Sequence, residues 1–214
     1  ELRGPLNAAA MSLNVVTRRD DLPDGVQATL RNAERHLLHM SDLVRDMFDT
    51  AKLENDAFEL AITPDVFMHE IVEEINAEFA ANPDVLSLRS IPDHTITATL
   101  DRDRIRQVIR NVVSNAAKYR QTGKQATIAV LLHRVDDIYF EIVVDDTPNG
   151  LGMTKTDLEA LNSGQPFWRA EAAKAVATGT GLGVQLSRKL VERSGGEIIY
   201  KSEFGVGTTV TIRL

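Results

Sequence analysis

Gly179-Thr180-Gly181-Leu182-Gly183 runs straight into Leu186, Leu190 and Val191, whose spacing is that of one face of a helix. Closely spaced glycines let consecutive backbone amides converge on a point, and the helix that follows adds the positive end of its dipole. Together they make a seat for phosphate. A glycine-rich turn alone is equally a plain loop, so its meaning rests on what surrounds it.

Upstream, polar residues stand where a helix should be apolar. Residues 102–118 read as a helix with Ile105, Ile109, Val112 and Ala116 on its buried face, while Asn111, Asn115 and Lys118 form a second stripe beside it. Asparagine is a poor mid-helix residue, and burying its amide without a partner is costly. Two such amides one turn apart suit a hydrated cation whose shell phosphate oxygens complete, which points to Mg²⁺. A solvated helix face is the plain alternative. Between these two signals, the apolar run Val143-Val144 ends in Asp145-Asp146-Thr147-Pro148-Asn149-Gly150-Leu151-Gly152. An aspartate at a strand end can accept a hydrogen bond from an exocyclic amine, and glycines admit a flat base close to the backbone.

Composition narrows the classes. The 214 residues suit one domain or two small ones, and 43% apolar with 26% charged residues is ordinary for a globular chain. With 24 basic against 31 acidic residues the net charge is -7, which argues against nucleic acid or an anionic membrane as main partner. There is no cysteine, which excludes disulfides, thiolate nucleophiles and cysteine-held metal centres. No apolar run approaches the ~20 residues that span a bilayer and no signal peptide is recognisable, so a soluble piece without membrane contact is expected.

The first part of the chain has a different rhythm. Leu2, Leu6, Ala9, Leu13 and Val16 alternate four- and three-residue steps, as do Leu30, Ala33, Leu37, Met40, Val44, Met47 and Ala51. That is the seam of a helical bundle. Asp20-Asp21-Leu22-Pro23-Asp24-Gly25 between them is turn chemistry, predicting an antiparallel hairpin over residues 1–57. Leu38, Leu43 and Phe48 widen its apolar face, so a homodimeric four-helix bundle is the simplest way to cover it. Residues 58–214 mix helix and strand. Thr63-Pro64 reads as a helix start followed by Phe67, Ile71, Ile75 and Phe79; residues 126–132 and 138–144 read as a β-hairpin, and 197–202 and 208–213 as closing strands. The expectation is an α+β chain, a helical hairpin followed by a sandwich of helices on one face of a mixed sheet.

The order of these signals resembles the catalytic core of a sensor histidine kinase, a dimerisation and phosphotransfer hairpin followed by the ATP-binding domain shared with gyrase, Hsp90 and MutL. Asn111-Val112-Val113-Ser114-Asn115-Ala116-Ala117-Lys118-Tyr119 is similar to the family's N box. The resemblance implies that Asn115 ligates Mg²⁺ and that Asn111, Lys118 and Tyr119 line ATP. In the related ATPases a water-activating glutamate stands at the Asn111 position. An amide is no general base, which fits transfer to a side chain rather than hydrolysis. Asp146 resembles the adenine-reading aspartate of the G1 box, with Gly150 and Gly152 as its glycines. Pro166-Phe167-Trp168-Arg169 resembles the F box of a nucleotide-ordered lid over residues 153–178. Gly179, Thr180, Gly181, Leu182 and Gly183 resemble the G2 box, and Gly205-Val206-Gly207-Thr208 the last glycine motif, with Thr208 also at the nucleotide.

The opening Glu1-Leu2-Arg3-Gly4-Pro5-Leu6-Asn7 looks like an H box whose phosphoacceptor histidine would immediately precede Glu1, with Glu1 as its acid/base partner. The histidines at 36, 39, 69, 94 and 133 match no acceptor position. By resemblance, the phosphoryl group would pass from that histidine to an aspartate of a response-regulator receiver domain, in a cytoplasmic core of a protein often tethered through upstream segments. Two departures stand out. Gly4 occupies a position where the family usually carries Thr or Asn, which disfavours phosphatase activity. Pro148-Asn149 is a two-residue insertion in the G1 box, expected to reshape the adenine pocket and leaving Asp145 as a substitute for Asp146. The alternative is a non-catalytic phosphotransfer or regulatory module with a degenerate ATP domain; a plain ATPase is disfavoured by Asn111 and by the hairpin.

Overall fold

A computed structural model describes residues 3–17, 22–54, 58–80, 82, 85–163, 168–176 and 181–214. Glu1, Gly179 and Thr180, together with Pro166 and Phe167 of the stretch expected as a lid, lie outside the described residues. Two compact units divide the chain, Glu1–Phe58 and Glu59–Leu214.

The first unit is a pair of helices, α1 (Arg3–Thr17) and α2 (Asp24–Glu54), packed on one another. Pro23 ends the connection and its carbonyl accepts from the Val26 and Gln27 amides, opening α2. Leu13, Leu30, Ala33, Leu37 and Val44 of the 3-4 seam are half-buried. Met11, Val15, Met40, Met47 and Phe48 remain exposed, so the two helices leave apolar surface uncovered. None of the described helices is long and apolar enough to cross a membrane.

The second unit is an α+β sandwich. Its five-stranded sheet has the order β2-β4-β5-β7-β6, built from β2 (Val85–Ile91), β4 (Ala126–Arg134), β5 (Phe140–Asp145), β6 (Glu197–Glu203) and β7 (Gly207–Arg213). β2 runs parallel to β4 and the other neighbours are antiparallel, so the sheet is mixed. Alternate residues, Ile128, Val130 and Leu132 of β4 and Phe140, Ile142 and Val144 of β5, point into the core, as the two-residue period of a strand requires. The helices α3 (Met68–Ala80), α4 (Arg102–Lys118) and α7 (Leu182–Arg193) pack against this sheet and one another. Ile71, Ile75, Ile105, Ile109, Leu190 and Val191 are almost wholly enclosed.

α4 starts at Asp101, whose buried carboxylate accepts from the Arg104 amide at 3.1 Å and from the Ala61 amide at 2.8 Å. It caps the helix and ties the incoming chain to it. On the outer side of α4, Arg102, Arg106 and Arg110 meet Glu74 and Glu78 of α3, with each glutamate shared between two arginines.

One sequence expectation changes. Thr63-Pro64 does not open a helix: Thr63–Phe67 is the strand β1, paired antiparallel with β3 (Thr97–Leu100), and α3 begins at Met68. Val66 is buried in that pair while Phe67 is 47% exposed, so the buried stripe of α3 starts at Met68 instead of Phe67. Pro64 is tolerated because β1 is an edge strand, where a missing N–H costs little. The stretch 153–178, expected as a lid, contains α5 (Lys155–Asn162) and α6 (Glu171–Val176). A capping box of Thr154 and Asp157 starts α5, and Arg188 of α7 holds its end through the Asn162 carbonyl at 3.0 Å.

Because Ile109 is fully enclosed between helices and sheet, Ile109→Ala should lower stability by about 2–5 kcal/mol. Chemical denaturation of the two proteins measures this, and a loss below about 1 kcal/mol would show that this core is not close-packed.

Candidate functional site

β5 alternates buried Phe140, Ile142 and Val144, so the chain leaves the sheet with Asp146 directed inward. Asp146 is 6% exposed. Its amide donates to the Thr208 carbonyl at 3.1 Å, and its Oδ1 accepts from the Thr208 amide at 2.6 Å. The carboxylate lies against two residues that must lack a side chain. A Cβ at Gly150 would overlap it, and one at Gly207 would stand 2.7 Å from Oδ1. Burial pushes the Asp146 carboxyl up to about 7; the Thr208 amide works against that rise and the neighbouring Asp145 adds to it.

Asp145 does not compete for this place. Its carboxylate accepts from the Thr147 amide at 3.2 Å, the Thr147 hydroxyl at 3.0 Å and the Thr209 hydroxyl at 3.3 Å. The inserted residues Pro148 and Asn149 fold onto the connection after α4 instead of onto Asp146. The Gln121 amide donates to the Asn149 carbonyl at 2.9 Å, and the Asn149 side chain donates to the Gln125 carbonyl at 3.2 Å and to the Thr127 hydroxyl at 3.3 Å. Gly152, with φ of 65°, backs onto the Glu203 carbonyl, where no Cβ would fit. Thr208 is drawn in further by the Ser202 hydroxyl at 2.8 Å.

Across the domain, α4 turns its polar stripe toward the first turns of α7. Asn111 donates from Nδ2 to the Ser187 hydroxyl at 2.9 Å, and its Oδ1 would lie 2.5 Å from a Cβ at Gly183. Gly181, in the left-handed region with φ of 74°, begins α7 without a side-chain cap, and Leu182 is buried beneath that turn. The N-terminus of a helix carries the positive end of its dipole, which favours an anion. Asn115 is half-buried one turn after Asn111 on the same helix. The Lys118 ammonium lies 5.4 Å from the centre of the Tyr119 ring, and the Arg169 guanidinium 6.0 Å from it. Burial, and secondarily Arg169, pulls the Lys118 ammonium below its ordinary value. Lys118 and Tyr119 therefore meet Arg169, in the stretch expected as a lid.

Ser187 was missed in the sequence, although a serine between Leu186 and Leu190 on an otherwise apolar face is a readable signal. Arg169 entered only as part of a motif, and its approach to Tyr119 could not be read from spacing.

Residues 100–214 match the model of the histidine kinase-, DNA gyrase B- and HSP90-like ATPases. The chain belongs to that family. This ATPase-family chain is similar over its whole length to the histidine protein kinase DivJ of Caulobacter vibrioides, at 35% identity, and to the sensor histidine kinase WalK of Bacillus subtilis, at 29%. It spans 35% of the length of each. Among solved structures, full-length ShkA in complex with AMPPNP superposes with a TM-score of 0.73 at 22% identity, covering 99% of this chain and 43% of that one. The Acinetobacter baumannii histidine kinase AdeS gives 0.64 at 23% identity, over 100% of this chain and 95% of that one. The fold is thus that of the histidine kinases.

The raised Asp146 carboxyl has a measurable sign. Between the ordinary value of 3.8 and about 7 the folded state holds a proton that the unfolded state releases, so this group's contribution to stability falls as pH rises through that window. Asp146→Asn abolishes it. Relative to the variant, the nucleotide-free parent should lose stability from about pH 4 to about pH 7 in urea titrations, and parallel pH profiles would contradict the buried carboxyl.

Proposed function

We propose that this chain is the catalytic core of a two-component sensor histidine kinase that takes Mg-ATP, phosphorylates a histidine of its helical hairpin and passes the phosphoryl group to a receiver-domain aspartate. The observation that carries this reading is the Asp146 cradle. It is a buried carboxylate with Oδ1 engaged by a backbone amide and with side-chain-free walls at Gly150 and Gly207. Such a cradle suits a flat base that presents an exocyclic amine to the other oxygen.

The residues then divide the work. Asp146 reads adenine, with Gly150, Gly152 and Thr208 shaping the wall. Asn111, Lys118 and Tyr119 line the nucleotide, and the glycine-rich stretch of Gly179, Thr180, Gly181, Leu182 and Gly183 meets its phosphates at the start of α7. That the similar ShkA was crystallised with AMPPNP supports a nucleotide here. The donor chemistry also fits Mg²⁺. No group of three or more His, Cys, Asp or Glu that could hold a metal is found among the described residues, so a neutral amide such as that of Asn115, with phosphate oxygens and water, is the fitting donor set. When bound, the ion neutralises charge on the phosphate oxygens. Asn111 is held by Ser187 as a donor and cannot take a proton from water. The nucleophile is an imidazole nitrogen of the histidine immediately before Glu1. Its attack on the γ-phosphorus releases ADP, and Glu1 orients the ring and receives its proton. The hairpin's exposed Met40, Met47 and Phe48 support a homodimer through a four-helix bundle.

The chain extended upstream by its natural residues, incubated with γ-labelled ATP and Mg²⁺, should acquire label that acid removes and base spares, and Asn115→Ala should reduce it at least 100-fold. An unlabelled parent that still binds ATP would overturn the kinase reading, and absence of ATP binding would turn it into a degenerate module. Met47→Asp should convert the dimer to monomer in sedimentation without loss of helix content. A dimer unaffected by that charge would place the interface elsewhere.

A further inference from the structure

Where α4 ends, the backbone of residues 119–121 runs beside that of 149–151. The Gln121 amide donates to the Asn149 carbonyl at 2.9 Å and the Leu151 amide to the Tyr119 carbonyl at 2.8 Å, around the antiparallel bridge Arg120–Gly150. The β6–β7 turn joins this pair, with the Gly205 amide donating to the Leu151 carbonyl at 2.8 Å. One side chain of the first segment then binds the other two. The Gln121 Nε2 donates to the Pro148 carbonyl at 2.9 Å, the Gly150 carbonyl at 3.1 Å and the Gly205 carbonyl at 2.8 Å. We infer that Gln121 is a positioning residue for base recognition, a clamp that sets the two glycine walls around the Asp146 carboxylate. This rests on the reading of Asp146 as the adenine-recognising group.

The geometry carries the claim in two ways. Gly150 presents its carbonyl to Gln121 and its Cα to the Asp146 carboxylate, so the residue that holds one side sets the other. Gly205 leads, two residues on, to Gly207, which lies against Asp146 Oδ1, and then to the Thr208 amide that grips the same oxygen. Both walls are therefore fixed from a point on the far side of the turn. The inserted Pro148 and Asn149 supply two of the carbonyls in the arrangement, which gives the insertion a part in building the pocket. The chemistry is one-sided, because Gln121 Nε2 meets only acceptors. A carboxylate of the same shape would set its oxygens against three carbonyls, while alanine would leave them without a donor.

Gln121→Glu is the near-isosteric test and Gln121→Ala the second variant, each compared with parent and Asp146→Asn for thermal unfolding and for competition of ATP and ITP against a fluorescent ATP analogue. ITP replaces the 6-amino group with a 6-oxo group and keeps the triphosphate. Expected are a loss of ATP affinity of about 10-fold or more and a collapse of the ATP-over-ITP preference toward unity in the Gln121 variants, in proteins that remain folded at the assay temperature. Equal losses for both nucleotides would reduce Gln121 to a merely structural role and overturn the inference. So would parental binding in the Gln121 variants while Asp146→Asn loses discrimination, which leaves the Asp146 reading standing. Parental discrimination in Asp146→Asn as well, or a parent that does not prefer ATP, would instead remove the reading of Asp146 and the clamp with it.

Discussion

A carboxylate taken out of water must be compensated or it protonates, and in this domain that constraint falls on Asp146. The compensation is partial. One backbone amide reaches Oδ1, and burial outweighs it, so the group sits near neutrality instead of being firmly ionised. Its neighbourhood follows from that. Gly150 and Gly207 are side-chain-free because the carboxylate fills the space a Cβ would take, and Thr208 is held by Asp146 and Ser202 together. On the proposed function, an exocyclic amine of the base would add a second donor to this carboxylate, and ligand binding would then be coupled to its charge compensation.

The opposite wall uses a different economy. α4 buries Ile105, Ile109, Val112 and Val113 against sheet and helices, while its neighbouring stripe carries Asn111 and Asn115. The amide that faces α7 is satisfied by Ser187, a buried hydroxyl on that helix, so the polar stripe costs little in the folded state. Close approach of the two helices at Gly183 makes that contact short enough to fix the Asn111 rotamer. The scaffold therefore positions an amide with a helix pair, which holds geometry better than a loop would.

Much of this was legible in the sequence because it is written in local periodicities. The span of α4 from Arg102 to Lys118, the hairpin of β4 and β5 and the closing pair β6 and β7 follow from helical and alternating patterns, and the run from Asp145 to Gly152 stood out by its carboxylates and glycines at a strand end. Thr63–Phe67 was misread because proline after threonine signals a helix start equally well, and the pairing of Val66 with Ala98, more than 30 residues away, decided otherwise. The choice of Asp146 over Asp145 was also illegible. Adjacent aspartates at a strand end differ only in which face they leave by, and that depends on where Thr208 and Thr209 of β7 arrive. Gln121 gave no signal at all, since its three acceptors are carbonyls and every residue has one.

The ion-pair ladder between α3 and α4 has a property that follows from its spacing. Arg102, Arg106 and Arg110 repeat every four residues, and so do Glu74 and Glu78. A set of charges with that period specifies which sides of two helices face each other, but it is nearly indifferent to sliding one helix along the other by a turn, because most pairs would re-form. Rotation and translation are thus encoded separately. The charges fix the first, and the unequal sizes of Ile71, Val72, Ile75 and Phe79 beneath them, which do not repeat, fix the second.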